Sequence, residues 1–163
     1  TVITAPRHIP EIMKHVDYKT VLFFIGLFIV VGGLEQTGIL ELIAGFIETI
    51  SGGNMFVMIG IIIWVSAIAS AFIDNIPYVA TMLPILTTLN LNPTLMYFGL
   101  LSGATLGGNC TPIGASANIT GTAILRREGY EVKNKDFFKI GIPFTLAAVL
   151  SAYVYLWVVY GIL

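Results

Sequence analysis

Asp74 is the only acidic residue between Glu48 and Glu128, and it sits in the apolar stretch AFIDNIP, residues 71–77. Asn75 follows directly, and Pro77 lies two positions further on. A second polar interruption, LGGNCTPIGASAN at residues 106–118, places Asn109, Thr111, Gly114, Ser116 and Asn118 in another apolar run. A carboxylate in such surroundings can carry a proton, bind Na⁺, or offset the positive end of a helix. The amides and hydroxyls of the second stretch are neutral donors and acceptors. Each group also has a purely structural use. Asp74 or Asn75 can cap a helix that starts at Pro77. Asn109, Thr111, Ser116 and Asn118 can satisfy the backbone freed at Gly107, Gly108 and Pro112.

The chemistry of the two stretches depends on helix ends. An unsatisfied backbone group costs several kcal/mol in hydrocarbon, so non-helical backbone survives there only inside protein or against a watery cavity. The breaks are expected to leave carbonyls exposed after Phe72–Ile73 and after Leu106. They leave free N–H groups at Ile76–Val79 and at Ile113–Ser116. Carbonyl ends suit cations and N–H ends suit anions, and two interrupted helices facing each other near mid-membrane form the pattern of an ion or solute path.

Composition excludes several other classes. Of 163 residues, 56% are hydrophobic and 10% charged, against ~25% charged in soluble domains. So few charges cannot cover a soluble surface. The net charge of −1 argues against a nucleic-acid partner. One cysteine, Cys110, excludes an intrachain disulfide and a thiolate metal cluster, and reads as a small filler. Hydrolytic chemistry lacks its parts: a second aspartate is missing beside Asp74, and both histidines, His8 and His15, are N-terminal. No enzyme, no metal and no cofactor is expected. The chain opens on Thr1 without the pattern of a cleavable signal peptide, and Thr1 reads as a cut point in something longer.

The elements that must hold these residues follow from the apolar runs. Residues 1–19 are mixed and polar, 20–34 are an apolar span, and Glu35 is read as an interfacial residue. Residues 38–50 carry Glu41 and Glu48 seven apart and predict an amphipathic helix lying at the interface. SGGN at 51–54 and NLNP at 90–93 predict turns. Residues 55–90 predict a helical hairpin with DNIP between its arms, which either dips in and returns or crosses twice. A bilayer core of ~30 Å needs about 20 helical residues. Runs 94–106 and 113–125 are each too short, so 94–125 is one broken span. Residues 126–139 are a charged loop and 140–163 a last span, whose Tyr153, Tyr155, Trp157 and Tyr160 suit an interfacial belt.

Lysine and arginine assign the sides. Residues 1–19 hold three, 126–139 hold five, and 35–93 hold none. The positive-inside rule puts the first two segments inside and the third outside. Small residues mark packing faces: Gly99, Gly103 and Gly107; Ser66 and Ser70 with Ala67 and Ala71; and Gly114, Ala117 and Gly121.

WVSAIASAFIDNIPYVATMLPIL (64–86) and GATLGGNCTPIGASANI (103–119) resemble the ion transporter superfamily of arsenite permeases, bacterial sodium/proton antiporters, the melanosomal P protein and, more remotely, citrate and dicarboxylate transporters. YKTVLFFIGLFIVVGGLEQTG (18–38) and DFFKIGIPF (136–144) fit the same pattern. The resemblance covers nearly the whole chain and implies the C-terminal half, residues 1–163, of a citrate-transporter-like membrane domain. The implied fold is an all-α polytopic membrane protein, one half of an inverted-repeat transporter with a re-entrant hairpin and a discontinuous helix.

By the same resemblance Asp74, Asn75 and Pro77 sit at the hairpin tip, and Asn109, Thr111, Gly114, Ser116 and Asn118 line the broken helix. The implied function is secondary transport of a small inorganic ion or oxyanion, of arsenite/antimonite or Na⁺/H⁺ type, by alternating access. The transport is expected to be coupled to Na⁺ or H⁺ or driven by the membrane potential. The implied partners are the lipid bilayer, the ion substrate, and an N-terminal half or a second copy forming a dimer. The implied place is the plasma membrane, with the N-terminus and the 126–139 loop cytoplasmic. The alternative is a non-transporting membrane module or assembly subunit derived from a split transporter. Cys110 and Pro112 depart from the pattern of many members. One cysteine also cannot build a multi-thiolate arsenic site, so arsenite would be held by hydrogen bonds.

Overall fold

The computed structural model describes residues 18–89 and 92–161, and it is all-helical over them. Expectations for residues 1–17 and for the Glu35 side chain lie outside the described residues. The first helix, α1, is Tyr18–Gln36. Gly38 follows at φ 74°, a left-handed turn that a side chain would resist, and starts α2, Ile39–Ser51. The axis bends there by 71°. α2 buries Leu40, Ala44, Ile47 and Ser51, a stripe spaced four, three and four. Leu42, Phe46 and Ile50 are exposed, as are Glu41 and Glu48. The helix is thus amphipathic in a particular way: one apolar stripe meets protein and another faces outward.

Gly52 and Gly53, both at positive φ, close the SGGN turn. Asn54 then caps α3, Met55–Ser70, its side-chain oxygen accepting from Val57 N–H at 3.3 Å. After a turn at 71–74 comes α4, Asn75–Thr88. It begins two residues before Pro77, because Asp74 rather than Asn75 supplies the cap; the proline is then the third residue of the first turn, where its missing N–H costs nothing. Asn92 caps α5, Pro93–Gly107, accepting from the N–H groups of Thr94 and Leu95, with Pro93 at the first position.

A 3₁₀ turn, Gly108–Cys110, and an extended Thr111 interrupt the chain before α6, Ser116–Arg127. α6 ends at Gly129, φ 88°, with Tyr130 N–H reaching back to Leu125 O at 3.0 Å. The last helix, α7, is Asn134–Leu156, continued by a π turn at Trp157–Gly161. The charged loop is therefore shorter than 126–139. Arg126 and Arg127 close α6, where cations suit the carbonyl end, and Asp136 lies in the first turn of α7, where an anion suits the N–H end.

The core forms around α3 and α5. α5 buries Leu95, Met96, Gly99, Leu100, Gly103, Ala104 and Gly107, all on one face. α3 answers with Met58, Ile59, Ile62, Ile63, Ser66, Ala67 and Ser70. α5 also packs on α4 and α7, so it lies against both arms of the hairpin. Asn134–Gly161 is 28 residues, about 42 Å at ~1.5 Å per residue, and exceeds a ~30 Å hydrocarbon core. Val21–Leu34 and Ile39–Ser51 reach span length only as a bent pair.

Glycine is required where α3 meets α5. A Cβ on Gly107 would overlap Ala67 O and Cα, and one on Gly103 would overlap Ile63 O. The third predicted face differs. Gly114 is tightly enclosed, but Gly121 has nothing within 4 Å and Ala117 is exposed, so α6 does not use a small-residue stripe to pack on this chain. Gly107→Ala is therefore expected to lower stability by about 1–3 kcal/mol through overpacking against immovable backbone. Gly121→Ala is expected to leave it unchanged or raise it by up to ~1 kcal/mol. Thermal unfolding of the two variants in detergent, followed by helical circular dichroism, checks the contrast.

Candidate functional site

The two interruptions are held against each other. Thr111 is buried, and its hydroxyl donates to Ala71 O, forty residues back at the end of α3. Gly114 lies so near that a Cβ would come within 2.9 Å of Ala71 O and 3.0 Å of Ser70 O. One residue before Ala71, the buried Ser70 hydroxyl donates to Ala104 O at 2.5 Å. α7 passes close by: a Cβ on Gly141 would meet Asn109 O at 2.8 Å and Cys110 O at 3.1 Å. The end of α3, the break after α5 and the first third of α7 thus form one junction.

Within it the neutral side chains mostly serve the backbone. Asn118 Nδ2 donates to Gly108 O at 2.9 Å and Thr111 O at 3.0 Å, folding the start of α6 back over the break. Asn109 Nδ2 donates to Thr105 O at 3.4 Å and Leu106 O at 3.3 Å, finishing α5. Thr111 Oγ1 also accepts from Ile113 N–H at 3.3 Å. The carbonyls expected to be free after Leu106 are answered in this way by Asn109 and by Gly108 N–H.

The charged residue stands apart from this work. Asp74 is exposed, and Oδ1 accepts from Ile76 N–H at 3.4 Å, which makes it the cap of α4. Its neighbours Phe72, Ile73 and Ile76 are also exposed. Asn75 borders a cavity of about 290 Å³ between α4 and α5, together with Val79, Ala80, Leu101 and Thr105. Pro77 is half-buried in the first turn, and its carbonyl accepts from Thr81 Oγ1 at 2.9 Å. At α6 no side chain caps the start, since Ala115 stands at the cap position; Ser116 is exposed beside it.

Of the eight residues singled out by sequence, Asn109, Thr111, Gly114 and Asn118 are bonded or wedged into the junction, while Asp74, Asn75 and Pro77 belong to the start of α4. Asn75, Asn109, Thr111 and Asn118 face four different cavities. Two hydroxyls that the sequence marks only as part of a packing stripe also bond across helices. Ser70 ties α3 to α5, and Ser66 Oγ accepts from Tyr78 OH at 3.2 Å, tying the two hairpin arms. The available signal was serine rather than alanine at positions four apart on the face that meets glycines.

Apolar helices, two of them interrupted and bonded together at their interruptions, define an integral membrane protein built like a transporter. The chain belongs to the citrate transporter family, whose profile matches residues 1–95. A Mycobacterium tuberculosis protein named as an uncharacterized transporter is 38% identical over 156 residues, covering 92% of this chain and 36% of its own length. The P protein of Sus scrofa is 36% identical over 173 residues, covering 99% of this chain and 20% of its own length. The P protein of Homo sapiens is 36% identical over 166 residues, with 94% and 20% covered. The chain thus spans about a third of the bacterial relative and a fifth of the P proteins. No solved structure matches.

The junction makes a stability prediction that separates bonded from free polar groups. Asn118→Ala strands two carbonyls, and Thr111→Val removes the tie to Ala71 at nearly constant volume. Each is expected to cost about 1–3 kcal/mol. Ser116→Ala, with no bonded partner at stake, is expected to stay within about 0.5 kcal/mol. Urea or thermal unfolding in micelles reads all three.

Proposed function

We propose that this chain forms half of a secondary transporter that moves a small inorganic ion or oxyanion by alternating access. The observation that carries the reading is the bonded pair of helix interruptions, from which α4 and α6 both start within a few residues of the Ala71–Thr111 contact. The two starts are unequal. α4 already has a carboxylate on its N–H end, whereas α6 has a bare alanine cap with Ser116 beside it. An anion is favoured at the α6 end, where free N–H groups and the helix dipole act together. Asp74 is then the group that carries Na⁺ or H⁺, or balances the cargo's charge. Asn75, bordering the α4–α5 cavity, supplies a neutral donor and acceptor near it. Arsenite/antimonite-type transport uses both helix starts, whereas Na⁺/H⁺-type transport uses Asp74 and leaves the α6 start without cargo.

The rest of the path is supplied by further transporter chain, an N-terminal half or a second copy, in the plasma membrane with residues 126–139 cytoplasmic. Family membership and the transporter name of the bacterial relative support transport; the geometry supports which residues do it.

Asp74→Asn isolates the charge from the cap. Asparagine caps a helix about as well as aspartate, so insertion and thermal stability are expected to be unchanged. With the complementary half present in proteoliposomes, flux is expected to fall at least ~10-fold, the value of ~1.4 kcal/mol in a barrier. Arsenite, Na⁺/H⁺, and citrate fluxes measured side by side identify the cargo. Unchanged flux of the transported ion in Asp74→Asn removes Asp74 from the mechanism.

A further inference from the structure

A cavity of about 270 Å³ lies on the other side of the junction, between α3, the helix break and α7. Its floor is buried: Ala67, Ala71, Thr111 and Thr145. Its mouth is apolar and open, formed by Ile68, Phe72, Ile142 and Leu146, which are 41–68% exposed. No charged side chain lines it. This apolar mouth lies on the flank of α7, the helix long enough to cross a membrane.

One polar atom in this wall has no partner. Thr145 is 5% exposed, and its Oγ1 is the buried side-chain polar atom left without a hydrogen bond among the described residues. A helical hydroxyl ordinarily returns to the carbonyl four residues back, as Thr49, Thr81 and Ser151 do in this chain. Thr145 does not. Leaving such a group dry is costly, and an apolar cavity of this size does not hold water to satisfy it. Cys110, a free thiol, lies on the same wall.

We propose that this cavity binds a small uncharged amphiphile dissolved in the membrane, with an apolar body and one hydroxyl that pairs with Thr145. At ~30 Å³ for each water-sized volume the space suits roughly nine non-hydrogen atoms. A charged ligand is excluded, because burying an unpaired charge there costs far more than the site returns. The site shares Thr111 with the helix break, but its apolar lining suits an uncharged occupant rather than an ion. Its floor contains both partners of the Ala71–Thr111 tie, so an occupant sits directly behind the contact that joins the two interruptions.

Octanol is the probe. In vesicles carrying the whole transporter, octanol is expected to slow alkylation of Cys110 by the permeant reagent N-ethylmaleimide, and to do so saturably. Nonane, of matching size but without a hydroxyl, is expected to need about fivefold more, as one hydrogen bond dictates. Thr145→Val abolishes that difference and Thr145→Ser keeps it. A Ser151→Cys reporter on α7, in Cys110→Ala protein, is expected to be indifferent to octanol, which separates occupancy from bulk effects on the bilayer. Should Cys110 prove unreactive, saturable quenching of Trp64 by bromo-octanol in Trp157→Phe protein gives the same reading, since Trp64 lines the cavity. Absence of saturable protection or quenching overturns the proposal, as does equal behaviour of the wild-type and Thr145→Val proteins.

Discussion

Backbone that leaves a helix inside an apolar protein has no water to turn to, and this constraint organises the middle of the molecule. Ala71 O, Gly108 O, Thr111 O, Leu106 O and Ala104 O are each met by a side-chain donor from Thr111, Asn118, Asn109 or Ser70. Most of these donors come from the other interruption or from across it. The turn after α3 is therefore not satisfied alone, whereas the break after α5 is met by its own Asn109 and Asn118. The turn after α3 needs Thr111, and the break after α5 needs the start of α6 folded back on it.

The bond from Thr111 to Ala71 sets a distance, and the distance sets the glycines. For Thr111 to reach Ala71, α3 and α5 must cross almost backbone to backbone over several turns. Gly103 and Gly107 lie where any Cβ would enter Ile63 or Ala67, and Gly114 lies against the last carbonyls of α3. The close crossing in turn brings the Ser70 hydroxyl to Ala104 O. Packing and hydrogen bonding here are one requirement seen twice: a larger residue on the glycine face separates the helices, and separated helices lose the bonds that cover the breaks.

Much of this was legible in the residues, and the remainder has a physical reason for being hidden. Asn54, Asn92 and Gly38 mark helix boundaries because capping and positive φ are local demands, written within a few positions. Gly99, Gly103 and Gly107 announce a close face because helical spacing is local too. What lies opposite a face is not local. A similar helical spacing, three then four, in Gly114, Ala117 and Gly121 corresponds to one glycine wedged against α3 and another with open space beside it. The partner of Thr111 is forty residues away, and only folding shows that its hydroxyl, like the amide of Asn118, is spent on carbonyls. Thr145 carries no sequence mark at all, since a threonine in a helix normally satisfies itself.

Spending the neutral donors on the backbone narrows where ion chemistry can occur. A group already bonded to two carbonyls, as Asn118 is, can meet a ligand only by releasing them, at ~1–3 kcal/mol for each group left bare. Asp74 gives up one long bond, 3.4 Å to Ile76 N–H, and Ser116 gives up none that holds a break together. With such weak prior commitments, these two are the groups that the proposed ion chemistry would engage at least cost. The cost of freeing Thr111, Asn109 or Asn118 would instead come out of the contact between the interruptions. A transporter whose cargo loosened that contact would lose the geometry that presents the two helix starts together. Under the proposed function, the tie between the interruptions supplies the stability and the α4 and α6 starts are the parts left to meet an ion.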